Sequence, residues 1–296
     1  MTRAPQIVDR ALLKARRTRA AKQPLSGQDF LLCRAAEDFA GRLSFIKRSF
    51  ETALELGSHH GVVGRRLSGV AGIKTIVALD SVEAMLARCG GPRIQGDEEA
   101  LPRFESRFDL VISAHALHLV NDLPGTLVQA RMALRPDGLL LASFPGGRTL
   151  AELRAAWLEA ESERLGGASP RVVPFADVRD CGALLQRAGF ALPVADSETI
   201  TVTYASPIEL MAELKAMGQS NPLTERSRRP VMRGLLARVS DIYLARFGLP
   251  GGRVPATFEI LTLTGWAPHE SQQKPLEPGS AKARLADALG VKEEKL

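Results

Sequence analysis

Five short, nearly all-apolar segments, most of them followed by a helical pattern, constrain this chain more than any other feature of it. Thr52-Ala53-Leu54-Glu55-Leu56, Thr75-Ile76-Val77-Ala78-Leu79, a weaker stretch near Pro92 to Gln95, Phe108-Asp109-Leu110-Val111-Ile112-Ser113 and Leu139 to Phe144 read as strands. Helical patterns follow from Gly61 to Leu67, from Ser81 (a plausible N-cap) onward, and over about Leu123 to Leu134. Strands apolar on both faces, alternating with helices, belong to a mostly parallel sheet covered on both sides. The expected fold is therefore α/β and doubly wound, with ligands at the carboxyl ends of the strands.

The flanking segments extend this plan. Residues 28–48 read as a helix, with Phe30, Leu31, Phe39, Leu43 and Ile46 roughly in phase. In the second half, Leu150 to Leu165, Asp177 to Ala188, Ser206 to Met217 and Arg228 to Phe247 read as helices. Ile200 to Tyr204 and Thr257 to Trp266 read as strands, and together they suggest a hairpin at the sheet edge with a helical cap inserted at about 206–248. The chain divides into a basic N-terminal helical arm over 1–50, a main domain over 51–268, and an irregular tail over 269–296.

Charge separates the arm from the rest. Of the net +6, residues 1–50 carry +7, from eleven Lys/Arg against four Asp/Glu, and Arg16, Arg17, Arg19 and Lys22 form the densest run. Such an arm suits docking on an acidic protein or peripheral contact with an anionic membrane, or else is solvated and partly disordered. Nucleic acid is disfavoured, because no aromatic residues are interleaved with these charges. No stretch approaches the roughly 18–20 apolar residues of a membrane span. Ala11-Leu12-Leu13 is broken at once by Lys14-Ala15-Arg16-Arg17, so no secretory leader is read. Cys33, Cys89 and Cys181 form neither a disulfide pattern nor a metal motif, and a cytoplasmic protein is expected.

The sharpest chemical signal is Glu55-Leu56-Gly57-Ser58-His59-His60-Gly61, placed between a strand and a helix. Glycine there lets the backbone turn tightly and lets a ligand approach the helix that follows. Asp80 ends the next strand, where a carboxylate can accept bonds from both hydroxyls of a ribose. Asp97 or Glu98, after the third strand, can meet the adenine amino group. No Lys-Ser/Thr follows the turn, which excludes a P-loop, and the full Gly-x-Gly-x-x-Gly of a dinucleotide site is missing. The pieces are weak singly, but their order and spacing favour an adenosyl-type ligand.

These motifs, with Asp97-Glu98-Glu99 and with Phe108-Asp109-Leu110-Val111 leading to Leu117-His118-Leu119-Val120-Asn121-Asp122-Leu123-Pro124, resemble the methyltransferase superfamily that includes the biotin-pathway malonyl-carrier methyltransferase. The second half narrows the likeness. Thr149 to Arg154, Ser169-Pro170 with Pro174-Phe175, Leu210-Met211 through Met217-Gly218-Gln219-Ser220-Asn221, Val254 to Thr257, and Gly265-Trp266 through His269 to Gln272 resemble the mitochondrial complex I assembly factor 5 family and its bacterial relatives. The resemblance runs from Asp9-Arg10 to Gly279-Ser280. It implies a seven-stranded class I methyltransferase (Rossmann-like) sheet, S-adenosylmethionine as cofactor, and a complex I subunit as protein partner. The mitochondrial members are assigned arginine hydroxylation rather than methyl transfer. The cofactor-binding set is then Glu55, Gly57, Ser58, His59, Gly61, Asp80, Ser81, Asp97, Glu98 and Ser113. One departure stands out: many members have glycine where His59 sits, and an imidazole there would crowd the cofactor's methionine part.

His59 and His60 follow the first strand, and His115 and His118 the fourth, so all four histidines can face one crevice. Two of them can form an acid/base pair or a metal site, or else the four pack separately; no metal is expected. Radical chemistry lacks its cysteine triad. His118, Asn121, Glu152, Arg154 and Asn221 are the candidate catalytic or substrate-holding residues, with Ser113, Asp122 and Ser220 as further polar lining. Trp266 reads as core. Three function classes follow: an enzyme modifying a protein arginine during complex I assembly, a methyltransferase acting on a small molecule or carrier-bound acid, and a non-catalytic assembly chaperone.

Overall fold

Side chains of β1 (Thr52–Leu56) alternate between two apolar layers, and this alternation places the strand mid-sheet. Leu54 and Leu56 pack to one side with helices α5 (Leu123–Ala133) and α7 (Val178–Arg187), through Leu127, Ala130, Cys181 and Leu185. Ala53 packs to the other with α2 (Phe30–Ser44) and α3 (Val62–Leu67), through Ala36, Phe39, Leu43, Val63 and Leu67. The computed structural model describes residues 5–23, 27 and 29–273.

The sheet has seven strands in the order β3-β2-β1-β4-β5-β7-β6. β2 (Thr75–Asp80), β3 (Arg93–Gln95), β4 (Phe108–Ala114) and β5 (Leu134–Pro145) run parallel to β1, and β7 (Val254–Trp266) runs antiparallel between β5 and β6 (Ala191–Tyr204). Because β1 leads outward to β2 and β3 while β4 starts on its other side, a crevice opens at the carboxyl ends of β1 and β4. A third apolar cluster joins α6 (Ala151–Leu165), α8 (Pro207–Ala216) and α9 (Arg233–Phe247) to the far ends of β6 and β7, through Trp157, Leu210, Tyr243 and Phe258. This is the cap over the crevice.

Several elements differ from the sequence reading. α2 falls inside the span read as an arm, yet its Ala36 and Phe39 are wholly buried in the main core, leaving α1 (Arg10–Ala20) as the arm proper. α4 is one turn, Glu83–Leu86, and its N-cap position is Val82 rather than Ser81, because the Asp80 carboxylate already holds the Val82 N–H. α9 begins at Arg233 rather than Arg228, since Pro230 lacks an N–H and biases Arg229 away from helix. β6 starts at Ala191, well before Ile200; its first residues alternate poorly because it is an edge strand with a register shift between Ala191 and Val194. Residues 274–296 of the tail lie outside the described residues.

Candidate cofactor crevice and adjoining cavity

The turn after β1 is built from main-chain bonds. Gly57 has φ +65°, and a Cβ there would collide with the Ala116 side chain, so only glycine fits. The Gly57 and Ser58 N–H groups both donate to the Leu79 carbonyl, at 2.9 and 3.0 Å, which draws the turn against the end of β2. His59 follows in the left-handed region, φ +48°, and its N–H donates to Asp80 Oδ2 at 2.9 Å. Val82 N–H donates to Asp80 Oδ1 at 2.8 Å. Asp80 is wholly buried, and Glu98 almost so, with one carboxylate oxygen near Gly57.

A second element enters this crevice that the sequence reading did not place there. α1 lies across it, and Arg17, only 3% exposed, donates from Nη2 to Asp80 Oδ2 at 2.7 Å. The same guanidinium meets His59 Nδ1 at 3.0 Å and Met85 Sδ at 3.5 Å. Two helical turns earlier on the same face, Arg10 pairs with Asp97 at 2.6 Å and with Glu98, and bonds the Leu119 carbonyl at 3.1 Å. Arg17 Nε and Glu98 Oε1 are buried without a hydrogen-bond partner. His59 Nε2 lies 3.1 Å from the Ala114 carbonyl, which fixes the proton on Nε2 and leaves Nδ1 to accept from Arg17. Burial first, and the Arg17 charge second, hold His59 well below its usual pKa, so the imidazole is neutral.

Beside the crevice and under the cap lies a cavity of about 250 Å³. His59, His60, His115 and His118 all line it, so the first- and fourth-strand histidines do converge. His115 Nε2 bonds the Leu31 carbonyl at 3.1 Å, and its Nδ1 has no partner. Burial lowers His115 to about 4; burial, then the neighbouring His115, lowers His118 to about 3. His118 packs against Phe175, ring centres 5.8 Å apart, and also lacks a partner at Nδ1. Among the described residues no three His, Cys, Asp or Glu side chains are grouped to hold a metal ion. The opposite wall comes from Leu153, Trp157, Met211 and Met217, and from the loop around Val173. That loop is anchored by buried Glu161, which accepts from Ser169 N–H and from Arg171; Arg171 in turn stacks on Trp157 at 4.6 Å.

Several residues singled out in the sequence do other work. Glu55 turns away from the crevice toward α3 and Gly64, in a second cleft with Arg65 and Lys74; burial there raises its carboxyl to about 8. Ser113 donates to the Leu56 carbonyl at 2.9 Å and ties β4 to β1. Asn121 exchanges two bonds with the Val8 backbone, at 2.8 and 3.1 Å, pinning the start of the arm. Asp122 caps α5 through Gly125 N–H. Glu152 holds the backbone and hydroxyl of Thr257 in β7, and Arg154 bonds the Val173 carbonyl. None of Asn121, Glu152 and Arg154 presents its polar group to the cavity as a substrate ligand would. Asn221 and Ser220 do line it, although the Asn221 amide also donates to the Pro170 carbonyl at 2.8 Å. Gly61, φ +71°, starts α3 against Cys89, and Ser81 follows Asp80 with its carbonyl near Gln95. Trp266 packs with Phe50 in the core.

Strand order and the glycine-turn crevice beside Asp80 together define a class I methyltransferase-type protein. A family profile described as a methyltransferase domain matches residues 28–193. A solved putative methyltransferase from Bacillus halodurans covers 78% of this chain and 100% of its own, with a TM-score of 0.55 at 18% identity, which supports the fold. Over 291 residues the chain is 38% identical to the rat protein "Arginine-hydroxylase NDUFAF5, mitochondrial", covering 96% of this chain and 84% of the relative. The human protein of that name is 38% identical over 94% of this chain and 82% of its own length. A malonyl-[acyl-carrier protein] O-methyltransferase of Halorhodospira halophila is 34% identical over 83% of this chain and 84% of its own. The chain belongs to the arginine-hydroxylase NDUFAF5 family, within the S-adenosylmethionine-dependent methyltransferase superfamily, and is a methyltransferase-like enzyme. S-adenosylmethionine is its cofactor, and the acceptors at the crevice suit it: Asp80 and Glu98 are buried carboxylates beside the glycine turn and Glu98 Oε1 has no hydrogen-bond donor, while Arg17 and His59 fill the space against Asp80 in this structure. No helix of the described residues is long and apolar enough to cross a membrane.

Proposed function

We propose that this enzyme modifies a protein side chain, an arginine of a respiratory complex I subunit, during assembly of that complex. Its similarity to the arginine-hydroxylase relatives along nearly the whole chain, cap included, is the observation that carries this reading. In it, Asp80 holds the ribose, Asp97 and Glu98 meet the adenine, and the Gly57–Gly61 turn borders the methionine part. The neutral histidines of the cavity then serve as acceptors. His115 carries its proton on Nε2, toward Leu31, so its Nδ1 lone pair is free to receive an N–H of an incoming guanidinium. Leu153, Trp157 and Met211 surround the aliphatic stem and exclude water. The cofactor supplies an electrophilic methyl group when bound, and nothing in this reading requires that it be the group transferred. The enzyme works in the cytoplasm, with the exposed Lys14, Arg19 and Lys22 available for contact with the inner membrane surface.

A second reading has its own support. Among the described residues no Asp or Glu lines the cavity, whereas Arg88, Arg171 and Lys215 do, which favours a neutral or anionic substrate over a cation. Methyl transfer to a carrier-bound acid meets that description, and relatives with that name cover most of the chain. Peptide mapping of complex I subunits from cells with and without the gene separates the two. Loss of one oxygen's mass from an arginine supports the first reading. Its persistence in the deletion strain removes it, and recovered methyl transfer to a carrier-bound acid by the purified enzyme establishes the second.

A further inference from the structure

The arm and the adenosyl ligand claim the same atoms. Asp80 Oδ2 already accepts from Arg17 and from His59 N–H, Oδ1 accepts from Val82 N–H, and the carboxylate has no exposed surface left for a ribose. Glu98 is similarly covered by Arg10 and Arg17. Ala20 and Ala21, at the end of α1, line the mouth of the neighbouring cavity, so the helix also stands between the two spaces.

We propose that α1 is a built-in plug of the cofactor crevice, in which Arg17 and Arg10 occupy the ribose and adenine carboxylates and must withdraw before S-adenosylmethionine can enter. The inference rests on the reading of Asp80 and Glu98 as cofactor ligands. Two features make the plug releasable. Its fit is incomplete, because Arg17 Nε and Glu98 Oε1 are each buried without a hydrogen-bond partner, the nearest Arg17 nitrogen standing 3.8 Å from Glu98 Oε1, a state that raises the energy of the closed form and that water and the ligand relieve on exchange. Its anchorage is also uneven. The start of the arm is fixed by the Val8 bridge to Leu223, by Asn121, and by the Asp9–Arg226 pair. Its end is held through side chains, by the Arg17 pairs, by Arg16 on the Asn221 carbonyl, by Arg88 on the Gln23 carbonyl, and by Ala21 packed on Val82 and Met85, whereas the Val8 end is also tied by main-chain bonds to Pro222 and Thr224. The Arg17 end can therefore lift while the Val8 end stays in place. Buried ion pairs hold such a state through geometry, and withdrawal of Arg17 leaves the Asp80 carboxylate in need of new partners, which the ribose hydroxyls supply.

The test uses full-length protein and S-adenosylhomocysteine as the probe. Calorimetry on wild type and Arg17→Ala is expected to show tighter binding by the variant, by about tenfold, because the closed population no longer competes. Hydrogen exchange on the wild type, which needs no variant, is expected to show faster exchange of residues 10–20 when the ligand is added. Weaker or equal binding by Arg17→Ala, or protection of residues 10–20 by ligand, would mean that α1 is a lid or cofactor ligand and would overturn the plug while leaving the cofactor site intact. Absence of binding by both proteins would remove the cofactor reading itself, and the plug with it.

Discussion

Gly57, Asp80 and the cavity histidines show how single side chains set what the site can do. Gly57→Ala forces a Cβ into Ala116 at a positive φ, and is expected to destabilise the protein by about 2–4 kcal/mol, measured by denaturant unfolding. Titration gives two further expectations of opposite sign. His115, at about 4 when folded and 6.5 when unfolded, binds its proton more readily in the unfolded chain. Its contribution is therefore fully present above pH 6.5 and falls away as pH drops toward 4, by up to about 1.4 kcal/mol per pH unit. In His115→Gln the loss of stability between pH 6.5 and 5, read from unfolding midpoints, becomes shallower. Glu55, raised from 4.5 to about 8, holds its proton in the folded chain, so its contribution is present below 4.5 and is lost as pH rises through 8. Glu55→Gln is expected to flatten the decline between pH 6.5 and 8, where His115 no longer titrates; an unchanged slope there would show that Glu55 is already ionised.

At the scale of elements, α2 belongs to the main core, whereas α1 packs over the crevice through Leu13 and Arg17. Phe39 is wholly buried between α2 and the sheet, and Phe39→Ala is expected to cost about 3–5 kcal/mol in chemical denaturation. A cost below about 1 kcal/mol would return α2 to the arm. The same scale decides what could be read from sequence. The β1–turn–α3 unit and Asp80 were legible because a strand, its glycine turn and the next strand's end obey local rules of period and spacing. The short α4 starts later than Ser81 suggests, because Asp80, two residues before Val82, holds the Val82 N–H and the helix begins at Glu83 without a side-chain cap. Arg17 and Arg10 were illegible as crevice residues, since their partners lie 63 and 87 positions away and nothing local distinguishes them from Lys14 or Arg19. Glu152, Arg154 and Asn121 erred the other way. Polar residues near a site look like ligands, but these spend their bonds on Thr257, Val173 and Val8, and only long-range pairing reveals it.

For the molecule as a whole, strand order places a buried carboxylate at the switch point, the cap encloses a largely apolar cavity beside it, and the basic arm closes the entrance. The expected seven-stranded fold and the hairpin carrying the cap are both present, because alternating apolar segments leave few other topologies open. Charge distribution followed less directly. The excess positive charge of residues 1–50 is partly consumed within the molecule, where Arg10 and Arg17 answer Asp97, Glu98 and Asp80. The central claim is that this carboxylate crevice is where the adenosyl cofactor binds. Calorimetric titration of Arg17→Ala and of Arg17→Ala/Asp80→Asn with S-adenosylhomocysteine, where no Arg17 pair competes, tests it most directly. A one-to-one complex with the single variant is expected, weakened by about tenfold or more in the double variant, as charge-assisted bonds to the ribose are lost. Equal affinity in the two proteins would contradict it.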